Sequence, residues 1–264
     1  MTLCGVLGWP VRHSRSPAMH ESGYDALGLD GWRYQLLPVP PELFEETVRA
    51  LPGAGFLGAN VTIPHKEAAL ALADDATAAA RAIGAANTLT FADGRIHADN
   101  TDAPGMVDAL PLDPAGASAV VLGAGGTARS AVWALLNAGA ADVAVWNRTP
   151  ERARALTDEL GGRVIERPHA ADILVNTTAV GLEAGGAQLD QLPLTRDDVS
   201  NYRCVVDFVY AARATDLIAT ARSAGISTVD GPELLVRQGA RSFTAWTGHP
   251  APLDAFRRAA GALG

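Results

Sequence analysis

The sequence predicts an α/β protein built as two domains, and three observations carry that expectation. Short apolar runs alternate with helical patterns from end to end, as they do where helices layer on a sheet. A glycine-rich turn, Gly123-Ala124-Gly125-Gly126-Thr127-Ala128, sits between one such run and one such helix. The character of the chain changes after Asp102, where a new βαβ series starts. With 264 residues, 48% of them hydrophobic and 19% charged, the chain can bury the cores that two domains require.

Taken in order, Leu3–Gly8 reads as a strand. Ser16-Pro17 offers an N-cap followed by proline at the first helical position, and Gly28 stands where a helix over Pro17–Leu27 would stop. Trp32–Leu37 reads as a second strand, Pro41–Leu51 as a helix and Gly55–Val61 as a third strand. A helix over Pro64–Ala73 puts Lys66 in its first turn. Asn87–Phe91 and Arg95–Asp99 form a hairpin through Asp93-Gly94, a dipeptide that accepts the positive φ angles of a tight turn. Gly105–Pro111 connects to strands at Ala119–Gly123, Asp142–Trp146, Ile173–Asn176, Cys204–Phe208 and Ser227–Val229, with helices between them. That second series is a small doubly wound parallel sheet. From Gly231 onward the chain is helical and free to return to the first domain. The expected domains are 1–103 with 235–264, and 104–234.

The net charge of −8 leaves no basic footprint for nucleic acid, so a phosphate site must be built from a few local arginines. Cys4 and Cys204 lack C-x-x-C spacing and read as small buried hydrophobes of a reducing compartment. The N-terminus shows no secretory n-region or h-region, the apolar stretches are too short or too broken to span a membrane, and a cytoplasmic location is expected. The six histidines are scattered without metal-ligand spacing, and no metal is implied.

Gly123–Ala128 fits G-x-G-x-x-[GA] in the required order of strand, loop and helix. Gly123, Gly125 and Gly126 let the backbone turn and approach a pyrophosphate, and Thr127 and Ala128 begin the helix whose positive end favours it. A site for the non-phosphorylated dinucleotide needs an acidic residue about 20 positions further on. Asn147-Arg148-Thr149 stands there instead, and Arg148 can pair with a 2′-phosphate, so NADP is the expected cofactor. Arg152, in the next first turn, adds a second candidate contact. Asn176 and Thr177 end the next strand, at the edge where the nicotinamide would lie.

Lys66 and Asp102 close two polar motifs, Asn60-Val61-Thr62-Ile63-Pro64-His65-Lys66 and Asp99-Asn100-Thr101-Asp102. A lysine at a helix start and a carboxylate just after a strand are the parts that move a proton while a cofactor moves a hydride. The helix start disfavours the lysine charge and a contacting carboxylate favours it, with the ion pair expected to be the larger effect.

These motifs run in one order with Gly8-Trp9-Pro10, His13–Pro17, Gly84–Thr88, Gly123–Arg129, Asn147–Thr149, Asn176–Thr178, Gln238–Ala240 and Trp246–Gly248. Together they closely resemble the shikimate and quinate dehydrogenases over nearly the whole chain. The resemblance implies reversible NADP-linked reduction of 3-dehydroshikimate to shikimate, a step of chorismate and aromatic amino acid biosynthesis, by a monomer or homodimer. It implies that Ser14 and Ser16 bind the substrate carboxylate with Tyr210, and that Lys66, Asn87, Asp102 and Gln238 surround the ring hydroxyls with Thr62 nearby. Lys66 would be the acid and base, Asp102 its partner, and the cleft between the domains the active site. The family typically has proline two residues after the tyrosine, where this chain has Ala212, and methionine at the place of Leu182. A paralogue for quinate or an amino-substituted shikimate, a folate-linked dehydrogenase and a silent NADP-binding regulator are the rival expectations.

Overall fold

In the computed structural model, residues 1–181, 189–209 and 213–261 are described. Two units separate by contact, Met1–Gly105 with Leu235–Gly264, and Met106–Leu234. The boundaries fall inside two helices, α5 and α9 below.

The first unit opens with β1 (Thr2–Gly8), α1 (Ser16–Ala26), β2 (Trp32–Pro38), α2 (Phe44–Ala50) and β3 (Phe56–Val61). It continues through α3 (Lys66–Leu72), β4 (Asp75–Ala76), α4 (Ala78–Ile83), β5 (Thr88–Ala92), β6 (Arg95–Asp99) and α5 (Asp102–Ala109). Its sheet has the order β2-β1-β3-β5-β6-β4. β1 pairs in parallel with β2 and β3, while β5 runs antiparallel to both β3 and β6, so the sheet is mixed. Leu7, Phe44, Val48, Val61, Leu89 and Ala98 share the core on one face. Burying each of the larger side chains contributes about 1.5–3 kcal/mol.

Three local differences from the sequence expectation have physical reasons. The helix expected over Pro41–Leu51 begins as a 3-10 turn, Pro41–Leu43, closed by the Leu43 amide on the Pro40 carbonyl at 3.0 Å. A tighter 3-10 turn is a common way for the first turn of an α-helix to close. Pro64 and His65 belong to a turn in which the His65 amide reaches the Thr62 carbonyl at 3.0 Å, so Lys66 is the first helical residue. The alanine-rich stretch that follows hides β4 and α4, which are too short to show a period. Thr77 caps α4 by accepting the Ala80 amide at 3.2 Å, and Gly84 ends it at φ +74°. The hairpin is as expected, with Asp93 at φ +53° and Gly94 at φ +72°.

The second unit holds β7 (Ser118–Leu122), α6 (Gly126–Asn137), β8 (Asp142–Trp146), α7 (Pro150–Leu160), β9 (Arg163–Val164) and β10 (Ile173–Asn176). β11 (Cys204–Asp207), α8 (Asp216–Ser223) and β12 (Ser227–Val229) complete it, and α9 (Gly231–Thr247) and α10 (Leu253–Ala260) follow. The order β12-β11-β10-β7-β8-β9 is parallel throughout. Strands covered on both faces are continuously apolar, as Val120–Leu122, Val143–Val145 and Ile173–Val175 are, all buried. The order reverses between β7 and β10, the switch point beside which doubly wound sheets bind ligands at the carboxyl ends of their strands. No helix among the described residues is long and apolar enough to cross a membrane.

Candidate active site

Asp102 owes its place to the hairpin and the turn after it. The β5–β6 register pairs Thr88 with Asp99, which brings Asn87 against the chain leaving β6, its amide donating to the Asp99 carbonyl at 3.0 Å. The Asn100 side chain donates to the Ala85 carbonyl at 2.9 Å and accepts the Ala103 amide at 3.2 Å, tying the start of α5 to the loop before β5. Asp102 is therefore the first residue of α5, where the helix dipole favours a carboxylate.

Lys66, the first residue of α3, is set by its neighbour. The His65 ring stacks on Phe44 with centroids 4.3 Å apart, and its Nε2 lies 2.7 Å from the Val39 carbonyl. A carbonyl only accepts, so Nε2 carries the hydrogen. Lys66 Nζ then donates to Asp102 Oδ2 at 2.5 Å, with the two residues only 8% and 6% exposed. Contact at that distance offsets the unfavourable placing of a cation at a helix start. Removing one partner of such a buried pair leaves an uncompensated charge, a cost of about 3–5 kcal/mol.

The pair is the centre of a network. Asp102 Oδ1 accepts from Asn87 Nδ2 at 2.8 Å, and the same amide group lies 3.0 Å from Thr101 Oγ1 and 3.3 Å from Gln238 Oε1. Asn87 Oδ1 accepts the Thr101 amide at 2.7 Å, and Gln238 Nε2 donates to the Leu235 carbonyl at 2.9 Å. Lys66, Asp102, Asn87 and Gln238 are thus brought together by α3, α5, the hairpin and α9.

Ser14 and Ser16 meet each other, with Ser14 Oγ 3.2 Å from Ser16 Oγ and accepting the Ser16 amide at 3.3 Å. The expectation that Ser16 caps α1 needs correction, since Arg15 holds the cap position, no side chain caps the helix, and Ser16 is its first residue. The hydroxyl of Ser14, just before the helix, has taken over its amide. Thr62 is half-buried just past β3 and lies against the end of β1, its amide donating to the Leu7 carbonyl at 2.9 Å, and a Cβ at Gly8 would stand 2.5 Å from its Cγ2. Tyr210 and Leu182 lie outside the described residues.

In the second unit Gly123 turns at φ +115°, a conformation that favours glycine, and a Cβ there would stand 2.4 Å from Thr177 Oγ1. Gly125 is the N-cap of α6, Gly126 its first residue, and Thr127 and Ala128 are buried in its first turn. A helix start leaves its first four amides without intrahelical acceptors, which is a donor set for phosphate. Asn147, Arg148 and Thr149 follow β8, where Asn147 Nδ2 donates to the Thr149 carbonyl at 2.9 Å and Arg148 is exposed. Thr149 occupies the N-cap position of α7 without a side-chain cap bond, and Arg152 is exposed in its first turn. Asn176 is buried and its side chain is used internally, donating to Asp207 at 2.9 Å and accepting from Thr178. Thr177 Oγ1 donates to the Leu122 carbonyl at 2.7 Å.

Two contributors escaped the sequence reading as individual residues. Asn60 is buried, accepts the Tyr34 hydroxyl at 2.7 Å and donates to Thr88 Oγ1 at 3.1 Å and the Asn87 carbonyl at 3.3 Å, so it holds the start of β5. Thr101 holds Asn87. The signals for Asn60 were a polar residue in an otherwise apolar strand and its place at the head of the Asn60–Lys66 motif.

A doubly wound parallel sheet with a glycine turn at its switch point, and a buried lysine–carboxylate pair in the other unit, define a dinucleotide-linked dehydrogenase of the two-domain class. The comparisons with known proteins narrow the class. The shikimate dehydrogenase substrate binding domain matches residues 6–89, shikimate / quinate 5-dehydrogenase residues 109–181, and the shikimate 5′-dehydrogenase C-terminal domain residues 232–260. The shikimate dehydrogenase (NADP(+)) of Paracoccus denitrificans is 43% identical, over 97% of this chain and 95% of that protein. The shikimate 5-dehydrogenase of Thermus thermophilus, solved in complex with NADP(H) and shikimate, has 38% identity and a TM-score of 0.88, covering 99% of both chains. The shikimate dehydrogenase of Aquifex aeolicus has 32% identity and a TM-score of 0.90, over 98% of this chain and 97% of that one. This chain belongs to the shikimate dehydrogenase family.

Proposed function

We propose that this chain catalyses the reversible NADP-linked oxidation of shikimate to 3-dehydroshikimate, in the biosynthesis of chorismate and the aromatic amino acids. The first unit is the substrate-binding catalytic domain and the second the NADP-binding domain. The observation that carries the reading is the buried Lys66–Asp102 contact at 2.5 Å, joined through Asn87 to Gln238. A proton-moving group held beside several neutral hydrogen-bond partners suits a small polyhydroxy acid, since each polar group left unpaired in a closed site costs about 1–3 kcal/mol.

When bound, NADP would supply the hydride chemistry at the carbinol carbon in both directions. The glycines of Gly123–Ala128 and the first-turn amides of α6 fit its pyrophosphate, and Arg148, with Asn147, Thr149 and Arg152 beside it, fits its 2′-phosphate. The chemistry of that donor set supports the phosphorylated cofactor, because no carboxylate stands directly after β8 to repel it. Lys66 in its neutral amine form takes the proton from the hydroxyl oxygen as the carbonyl forms, and in its ammonium form gives it back on reduction. Asp102 holds Nζ in place and stabilises its charge. Asn87, Gln238 and Thr62 orient the ring hydroxyls, while Ser14, Ser16 and Tyr210 take the carboxylate. Two buried free thiols, Cys4 and Cys204, suit the cytoplasm.

Initial rates for shikimate and quinate, each with NADP and with NAD, test the proposal. Shikimate with NADP is expected to give the highest kcat/KM. A higher value for quinate reassigns the substrate, and NADP binding without turnover of either acid replaces the enzyme with a binding protein.

A further inference from the structure

Asp207 is completely buried in the second unit, where no step of the reaction uses it. It ends β11, and its contacts come from the end of β10, the turn just after β11 and the N-cap of α8. Its Oδ1 accepts from Asn176 Nδ2 at 2.9 Å, at the end of β10, and from the Val209 amide at 3.0 Å, just after β11. Its Oδ2 accepts the Thr215 hydroxyl at 2.6 Å, and Thr215 in turn caps α8 through the Ile218 amide. Burial pushes its pKa up to about 6, a cost that these three donors only partly offset.

The chain of contacts does not stop at Asn176. Asn176 Oδ1 accepts both the amide and the hydroxyl of Thr178, at 3.1 and 2.8 Å, and Thr178 Oγ1 accepts the Val180 amide at 3.2 Å. Between them Thr177 bonds the Leu122 carbonyl and fills the space beside Gly123, where the glycine turn begins. One carboxylate therefore ties together the loops after β10 and β11 and the start of α8, and the first of these lies against the turn after β7. The sheet order assigns β7, β8 and β9 to one mononucleotide half and β10, β11 and β12 to the other. With Arg148 and the glycine turn in the first half, the second half is left for the nicotinamide.

We propose that Asp207 is the positioning residue of the nicotinamide half-site, setting the loop Asn176–Val180 against which the reacting ring is placed. The inference rests on the NADP reading above. Asp207 touches neither substrate nor cofactor and acts through Asn176 and Thr178. A buried charge suits this work because three donors converging on it resist displacement together, whereas a neutral acceptor would hold each less strongly.

The test uses Asp207→Asn, which keeps shape and removes charge, and Thr178→Val, which breaks the network at a partly exposed site. Each is compared with wild type for melting temperature, affinity for NADP, affinity for adenosine 2′,5′-bisphosphate, and kcat and KM with shikimate. The bisphosphate carries the adenosine end of NADP and lacks the nicotinamide. Its affinity is expected to stay within about twofold in both variants, while kcat falls about tenfold or more in Asp207→Asn and several-fold in Thr178→Val, with KM for shikimate little changed. A kcat within about twofold of wild type in folded Asp207→Asn overturns the proposal, as does a parallel loss of bisphosphate affinity, the mark of a general loosening of the sheet. If Asp207→Asn does not fold, unchanged kcat in Thr178→Val overturns it alone. If wild type binds NADP but does not turn over shikimate, the substrate reading has failed instead. The ratio of NADP to bisphosphate affinity then decides: a fall in the variants upholds the positioning role and a constant ratio refutes it.

Discussion

A proton donor is useful only while its direction and charge are held at the reacting oxygen, and Asp102 Oδ2 bears on both for Lys66. Lys66→Ala and Asp102→Asn should each lower turnover by about 10²–10⁴-fold, the span of general acid–base catalysis. The double variant should be little worse than the poorer single one, because residues that act as a unit are strongly non-additive. Steady-state rates with parallel NADP titrations check this, and fully multiplicative losses or near-wild-type turnover in Lys66→Ala would refute the pair. Cofactor affinity should persist in all three, since the glycine turn belongs to the other unit. Arg148 makes a second prediction at this scale. Arg148→Ala should weaken NADP by about 1.5–3 kcal/mol, the value of a charge-assisted hydrogen bond, and leave NAD nearly unchanged. Equal losses for the two cofactors would remove Arg148 from the 2′-phosphate.

Among the elements, α5 and α9 carry Asp102 and Gln238, and their spacing is set by Gly105. A Cβ at Gly105 would stand 2.9 Å from the backbone nitrogen of Gln238 and 3.1 Å from its Cα. Replacing glycine by alanine inside a helix with free space around it should stabilise by about 1 kcal/mol. Here the helices must part, and overpacking costs of about 1–3 kcal/mol reverse the sign. Gly105→Ala should therefore melt lower and show reduced kcat/KM for shikimate, because Gln238 and Asp102 are displaced from Asn87 together. Thermal unfolding and kinetics measure both, and a melting temperature above wild type would show that α5 and α9 have room to spare. Length also explains which elements the sequence left obscure. β4 and α4 are two and six residues long, too short for a period to appear among alanines.

At the scale of the whole molecule, stability should depend on pH through His20. This residue of α1 is fully buried, stacks on Tyr34 at 4.2 Å and lies among Phe243, Trp246 and Phe256, with no hydrogen-bond partner for either ring nitrogen among the described residues. Burial lowers its pKa to about 3 from 6.5. The unfolded chain therefore takes up a proton below pH 6.5 that the native fold refuses until about pH 3, and stability is lost as pH falls through that window. The slope is about 1.4 kcal/mol per pH unit. Buried His65, its pKa also lowered, acts in the same direction, and Asp207, whose pKa is raised, acts in the opposite one by losing stability as pH rises towards 6. Comparing His20→Phe with wild type isolates the one group. The stability of the variant relative to wild type should rise as pH is lowered from about 6.5 to about 4, read by denaturant unfolding, and a constant difference would mean that His20 is charged in the fold.

Much of this protein could be read before folding. The alternation of strands and helices, the glycine turn after β7, the absence of an acid directly after β8 and the Lys66 and Asp102 motifs are all local patterns, written in residues close in sequence and fixed by backbone sterics and charge. What the tertiary structure decided are contacts between residues far apart in the chain. Lys66 meets Asp102 across 36 positions and Asn87 meets Gln238 across 151. Asn60, Thr101 and Asp207 take their roles only once strands are paired in register, because a buried polar side chain must find partners and the fold alone determines which are within reach. Ser16 shows the converse, a good cap by sequence whose amide was taken by Ser14 when the loop closed. Local pattern specifies which groups the chain carries, and long-range packing specifies which of them meet, since a hydrogen bond depends on position to within a few tenths of an ångström and sequence spacing beyond one element does not encode that.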